Sequence, residues 1–146
     1  MRASKRNLMQ CVAGGVALAA AAGLGNVLAQ HSATPMPPPK ITQLLKQAIA
    51  EFPGHEVTMI TLDLPPGGGS SAHRHPGHHT FGYVLEGAYK IKLDTGAERV
   101  LKKGETFYEA PGQLHAVSGN ASNTEPAKVL AFMLAERGKP LTVPEK

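Results

Sequence analysis

Gly67-Gly68-Gly69-Ser70-Ser71-Ala72-His73-Arg74-His75-Pro76-Gly77-His78-His79-Thr80 is the stretch on which the fold is decided. The glycine run makes a turn, and His73-Arg74-His75 starts a strand from it. Residues two apart on a strand project to the same face, roughly 7 Å apart along the chain. Two imidazoles placed this way converge on one cation at about 2.1 Å each. Arg74 projects to the opposite face, where its charge does not compete. His115, forty residues after His75, offers a third imidazole once a neighbouring strand brings it in. His79 is a possible fourth ligand, although it falls one residue out of phase with the strand that follows. His78 reads as surface. His31 and His55 read as without a role, one in an extended lead-in and the other after a turn.

Outward from this stretch the chain reads as strands and turns. Val57 to Leu64 ends at Pro65-Pro66-Gly67, and Phe81 to Leu85 is closed by Glu86-Gly87. Tyr89 to Leu93, Val100-Leu101, Thr106 to Tyr108, Leu114 to Val117 and Val129 to Ala135 follow, separated by turns rich in Gly and Asp. Short strands spaced in this way predict an antiparallel barrel or sandwich over residues 55–136. Phe81, Tyr83, Phe107 and Tyr108 are candidates for its lining, with core packing as their expected role. Alternation lets only some of them face in. Before the barrel, residues 30–54 hold a Pro-rich lead-in, then Ile41, Leu44, Leu45, Ala48, Ile49 and Phe52 at helical spacing. A short helix or a strand fits there. Residues 137–146 read as a C-terminal tail.

Two motifs stand in order within the barrel. Gly67, His73, His75 and Gly87 resemble the first motif of the cupin superfamily: Gly, five residues, His-x-His, three or four residues, Glu, six residues, Gly. Gly104, Gly112 and His115 resemble the second: Gly, five residues, Pro-x-Gly, two residues, His. Ala88 to Lys103 gives the short inter-motif length of small bacterial cupins. The resemblance covers about Val57–Leu134 and implies an all-β, jelly-roll barrel of six to eight antiparallel strands. It also implies a metal on His73, His75 and His115 inside the barrel mouth.

The departures bear on chemistry. Thr80 fills the position of the motif Glu, and His79 occupies the alternative spacing after His75. Ala110 stands where the second motif has Pro, and Asn120 lies one residue later than the Asn that closes that motif, with three residues between that Asn and the His. Losing the Glu removes the one anionic ligand, so three neutral imidazoles leave the full 2+ charge on the metal. Thr80, a poor ligand, is expected to bond a metal-bound water. Glu86, Glu105 and Glu109 are placed beside turns or on strand exteriors, so no acid/base carboxylate is evident. Fe, Mn, Ni, Cu and Zn all accept imidazole, and one divalent metal among them is expected. Three-His cupin sites resemble those of thiol and β-diketone dioxygenases. That implies a dioxygenase-type oxidoreductase acting on a small, oxygen-bearing ligand. The alternative is a non-catalytic module that binds a small molecule or sequesters metal. Small cupins are commonly dimers through edge strands, so a homodimer is expected.

Charge and cysteine usage exclude other classes. Fifteen Lys and Arg oppose eleven Asp and Glu, a formal charge of +4. Arg2, Lys5 and Arg6 carry most of that excess, and beyond residue 29 the balance is twelve against eleven. A groove for phosphate backbones needs a clustered excess, so nucleic-acid binding is not expected. No Ser-His-Asp layout, phosphate-cradling loop or Cys-His pair is present as a motif. Met1 to Asn7 is basic, Leu8 to Leu24 apolar, and Val27-Leu28-Ala29 presents small or compact side chains for cleavage. This is the layout of a secretory signal peptide over residues 1–29. A membrane anchor is the competing reading, but an Ala- and Gly-rich run of this length is short for a bilayer of roughly 30 Å. Ser4-Lys5-Arg6-Asn7-Leu8-Met9 resembles a twin-arginine export motif with Lys in the first Arg position. Cys11, the one cysteine, falls in this segment, so the mature chain has no thiol or disulfide chemistry. The expectation is a periplasmic or secreted protein, free of the membrane once the signal is removed. Sequencing the amino terminus of exported protein should give Gln30 as the first residue. Membrane-retained material starting at Met1 or Arg2 would establish an anchor.

Overall fold

The computed structural model describes residues 36–146, so the expected signal segment, Cys11 and His31 lie outside the described residues. Among the described residues every regular element is a strand, and no helix is long and apolar enough to cross a membrane. One sheet runs β1 (Lys40–Ala48), β2 (His55–Leu64), β10 (Ala127–Glu136), β5 (His79–Glu86), β8 (Thr106–Glu109). The other runs β11 (Val143–Pro144), β4 (His73–Arg74), β9 (Leu114–Asn120), β6 (Ala88–Leu93), β7 (Arg99–Lys102). The short β3 (Gly69–Ser70) pairs with β9 beside β4. Every pairing is antiparallel. Eleven strand segments therefore stand where six to eight were expected, the excess being two-residue pieces such as β3, β4 and β11.

The apolar spacing after the lead-in belongs to a strand. β1 pairs with β2 from Lys40↔Asp63 to Ala48↔Glu56, and a bulge between Gln43 and Leu45 inserts one residue. A bulge breaks the period-two alternation once. Apolar residues on either side of it then fall three and four apart, which imitates a helix. The C-terminal tail is likewise part of the sheet, since β11 lies on β4 with Val143 opposite Arg74 and Pro144 opposite His73.

β10 shows why the interior has room for a site. Its buried positions are Ala127, Val129, Ala131, Met133 and Ala135, so three of five inward side chains are single methyl groups. The larger Leu130, Phe132 and Leu134 project to the other face. A cluster of Leu64, Val84, Tyr89, Ile91, Leu101, Phe107, Ala127 and Val129 joins the two sheets. A smaller one, Ile60, Ala131 and Met133, packs against Leu62 and Leu141. Asn120 is buried and ties the sheets at one end. Its Nδ2 donates to the carbonyls of Glu125 at 2.7 Å and Pro65 at 3.1 Å, and its Oδ1 accepts from Ser122 N at 2.9 Å.

Of the four aromatic candidates for the interior, only Phe107 is buried. Phe81, Tyr83 and Tyr108 are exposed, because alternation on β5 and β8 gives the inward positions to Thr80, Gly82, Val84, Phe107 and Glu109. Phe107 faces Gly82 across the β5–β8 ladder. A methyl group added at Gly82 would fall inside the Phe107 ring. That ring stacks on Tyr89 at 5.4 Å between centroids. Gly82→Ala should therefore destabilise the protein by about 1–3 kcal/mol, the usual cost of overpacking. Gly82→Ala/Phe107→Leu should recover part of it, as read from denaturant midpoints; equal midpoints for the two variants would refute the contact.

A candidate metal centre in the barrel

The strand pairing of β4 with β9 builds the centre. His73 and His115 are directly opposed in that ladder, which closes a gap of more than forty residues in sequence. Their ring centroids lie 4.9 Å apart, the same separation as between His73 and His75. One nitrogen from each of the three rings falls within 4.8 Å of the others. His73 and His115 are buried and His75 nearly so. Arg74 points away, donating from Nε and Nη2 to the Glu145 carboxylate at 2.7 and 3.1 Å and from Nη1 to Gly112 O at 2.9 Å. That pairing, between exposed groups, holds Glu145 below the usual carboxylate range.

Each imidazole is oriented by what its far nitrogen bonds. His73 Nδ1–H donates to Ser71 O at 2.7 Å, and His75 Nδ1–H donates to Leu141 O at 2.5 Å. Carbonyl oxygens only accept, so both rings carry their proton on Nδ1 and turn a bare Nε2 lone pair inward. Burial, with help from His115 and His75, holds His73 below the ordinary imidazole range against the opposing pull of the Ser71 bond and Glu109. A neutral ring is the form that coordinates metal. His115 has Nε2 3.4 Å from Tyr89 Oη, which lies 2.6 Å from Ser118 Oγ. Burial pushes the Tyr89 phenol well up, so it remains a neutral partner. The opposite edge of the ring, Nδ1, is buried without a hydrogen-bond partner.

The remaining sequence candidates fall elsewhere. His79 is exposed, stacked on Tyr108 with its Nδ1 2.8 Å from the phenol oxygen, and points out of the barrel. It stands apart from the group of His73, His75 and His115, and the strand phase that sets Thr80 inward is the reason. His78 is buried rather than on the surface: the turn closed by His78 N to His75 O folds its ring in, with Nδ1 donating to Pro76 O at 2.9 Å. His55 starts β2 and stacks on Phe52. Thr80 is 2% exposed, and its hydroxyl has no partner among the described residues.

Glu109 lies inside the barrel and not on a strand exterior. It is 2% exposed, with Oε1 3.3 Å from His115 Nδ1 and Oε2 3.7 Å from His75 Nε2. Its Oε2 has no hydrogen-bond partner. The alternation of Thr106-Phe107-Tyr108-Glu109 carries the signal, because an inward Phe107 forces an inward Glu109. Three imidazole donors beside buried polar atoms that lack partners fit a bound cation. His73, His75 and His115 would hold it, and a divalent ion there would supply Lewis-acid and redox chemistry. Next to this group opens a cavity of about 280 Å³, walled by Ile41, Ile60, Leu62, Phe107 and Val129, with Ser70, Ser71 and Thr142 at its sides. No Lys or Arg among the described residues lines it.

Known proteins resemble this chain in sequence and in fold. The chain is 34% identical to oxalate oxidase GF-2.8 of Triticum aestivum over 94 residues, 58% of this chain and 42% of that protein. It is 35% identical to germin-like protein 3-3 of Oryza sativa subsp. japonica over 102 residues, 63% of this chain and 43% of that one. It thus spans less than half the length of these relatives. A recombinant oxalate oxidase in complex with glycolate superposes with a TM-score of 0.58 at 26% identity, covering 77% of this chain and 57% of that one. A double-stranded β-helix protein of Klebsiella pneumoniae, 21% identical, covers 74% of this chain and 85% of its own with a TM-score of 0.57, and shows the fold. The family described as the cupin domain matches residues 60–133, half of the chain. With both motifs on opposed strands of one double-stranded β-barrel, the chain belongs to the cupin family.

Proposed function

We propose that this cupin is exported and holds one divalent metal on His73, His75 and His115. In this reading it acts as a metal-dependent oxidoreductase on a small ligand with a metal-seeking oxygen and an apolar body. The observation that carries the proposal is the convergence of three imidazole nitrogens, two of the rings oriented by backbone carbonyls, beside a largely apolar cavity. The oxalate oxidases among its relatives support oxidoreductase chemistry. Oxalate itself fits less well. A small dianion has no apolar body to place against Ile60, Leu62 and Val129, and no Lys or Arg among the described residues lines the cavity to bond its second carboxylate. An enolate or a thiolate with a hydrocarbon body matches the lining better. The exposed apolar side chains Ile41, Leu44 and Leu45 on edge strand β1 support the further reading of a homodimer.

The protein's own residues have defined parts in this reading. Backbone carbonyls of Ser71 and Leu141 hold two imidazoles in the ligating tautomer. Ile60, Leu62 and Val129 strip water from the ligand's apolar part, and Phe107 fixes Tyr89, which backs His115.

Metal should raise the melting temperature of metal-free wild type, because binding to the folded state alone stabilises by about 2.7 kcal/mol at a hundredfold excess over Kd. His115→Ala should abolish most of that shift for Mn(II), Fe(II) and Zn(II). A shift that persists in His115→Ala would mean the metal sits in the His73–His79 loop and not in the barrel. Oxygen uptake by the metal-loaded protein should exceed background on small enolates or thiols with an apolar body and not on oxalate. A metal-dependent stoichiometric ligand change without turnover on any of these would assign a binding module instead.

A further inference from the structure

We infer that Glu109 supplies the carboxylate ligand of this site, from the strand beside the one on which the family motif carries it. The inference rests on the reading of His73, His75 and His115 as a metal group. At the motif position stands Thr80, and the residue directly opposite Thr80 in the β5–β8 ladder is Glu109. Directly opposed residues of an antiparallel pair project to the same face, with Cβ atoms about 4.5–5.5 Å apart. A carboxylate lost at one position therefore re-enters the same space from the other, by a side chain of the same length.

The distances suit shared coordination. Two donors each about 2.1 Å from one cation are separated by roughly 3 Å when adjacent and about 4.2 Å when opposed. Glu109 Oε1 to His115 Nδ1 is 3.3 Å and Oε2 to His75 Nε2 is 3.7 Å. His75 has its proton on Nδ1, committed to Leu141 O, so its Nε2 faces Oε2 lone pair to lone pair. Such a pair repels unless a positive centre lies between. No Lys or Arg side chain bonds this buried carboxylate among the described residues. A carboxylate buried with only imidazole edges beside it carries a heavy desolvation cost, which a coordinated cation removes. The ligand set becomes three imidazoles and one carboxylate, and the charge left for substrate falls from 2+ to 1+. A single monoanionic oxygen group then neutralises the site, in keeping with a cavity that lacks cationic side chains.

The test uses metal-stripped full-length protein titrated with Mn(II), read by calorimetry and by the melting temperature before and after metal. Glu109→Gln should weaken Mn(II) binding by about 100-fold or more and raise the melting temperature of the metal-free protein, since it removes a buried carboxylate that no Lys or Arg among the described residues bonds. The exchange Thr80→Glu/Glu109→Thr should restore affinity to within about tenfold of wild type, because the carboxylate returns to the motif position. Wild-type affinity in Glu109→Gln would overturn the assignment. So would a metal-free Glu109→Gln that melts lower than wild type, the mark of a group that only positions His115. A folded exchange variant that stays as weak as Glu109→Gln would also overturn it. If wild type itself takes up no Mn(II), Fe(II) or Zn(II), the three-His reading fails, and that result is distinct from a failure confined to Glu109.

Discussion

His73 and His115 oppose one another across the β4–β9 ladder, and the rest of the centre depends on that register. A slip of one residue would turn one ring out of the barrel. The register is held from three sides. β3 pairs with the far end of β9 through Gly69↔Gly119, β6 pairs along its other edge, and β11 covers the open edge of β4. Arg74 locks this last contact. It faces away from the cavity and grips Glu145, while Glu145 N donates to Ala72 O at 2.9 Å. The residue between the two histidines thus contributes to the site by pinning the wall that carries the Leu141 carbonyl.

Polar groups in this interior are arranged by a simple economy of hydrogen bonds. The outer nitrogens of His73 and His75 are satisfied by backbone carbonyls, and Tyr89 is satisfied by Ser118. What stays unpaired, Thr80 Oγ1, Glu109 Oε2 and His115 Nδ1, is buried in the same part of the barrel. Buried polar atoms in folded proteins are almost always paired. The outer contacts orient the rings, and the inner polar atoms gather beside His73, His75 and His115, a donor set that suits a cation. The apolar walls of the neighbouring cavity strengthen that electrostatic demand, because they keep the local dielectric low.

Much of this was legible from the residues alone. His73, His75 and His115 could be grouped because two spacing patterns fixed their strands, and period-two alternation then gave them a common face. The strands around them were legible from β-branched runs bounded by Gly and Pro. Three features were hidden for physical reasons. β1 imitated a helix because its bulge shifts the alternation after Gln43. The tail after residue 136 has no strand-like composition, and it is recruited through backbone pairing and one ion pair that leave little trace in sequence. Glu109 was misplaced because a charged residue next to Ala110-Pro111-Gly112 looks like part of a turn. Phe107 settles its direction, since two residues that alternate on a short strand must share a face, and only one of Phe107 and Tyr108 could be inside.

The inferred ligand role of Glu109, opposite Thr80, would separate the metal-site motif from the metal site. A linear motif records positions along the chain, whereas coordination records positions in space. In an antiparallel sheet each inward position has a neighbour directly across the ladder that points the same way. A side chain can pass between such positions without moving the cation it serves, provided that the receiving strand has room. Here the room exists because Gly82, beside Thr80, admits the Phe107 ring and keeps β5 and β8 close. The carboxylate and the aromatic ring behind it then come from one four-residue strand, and the imidazoles come from the facing sheet. In the inferred ligand set both sheets contribute donors. A local histidine-rich loop, drawing on one segment alone, could not make this arrangement.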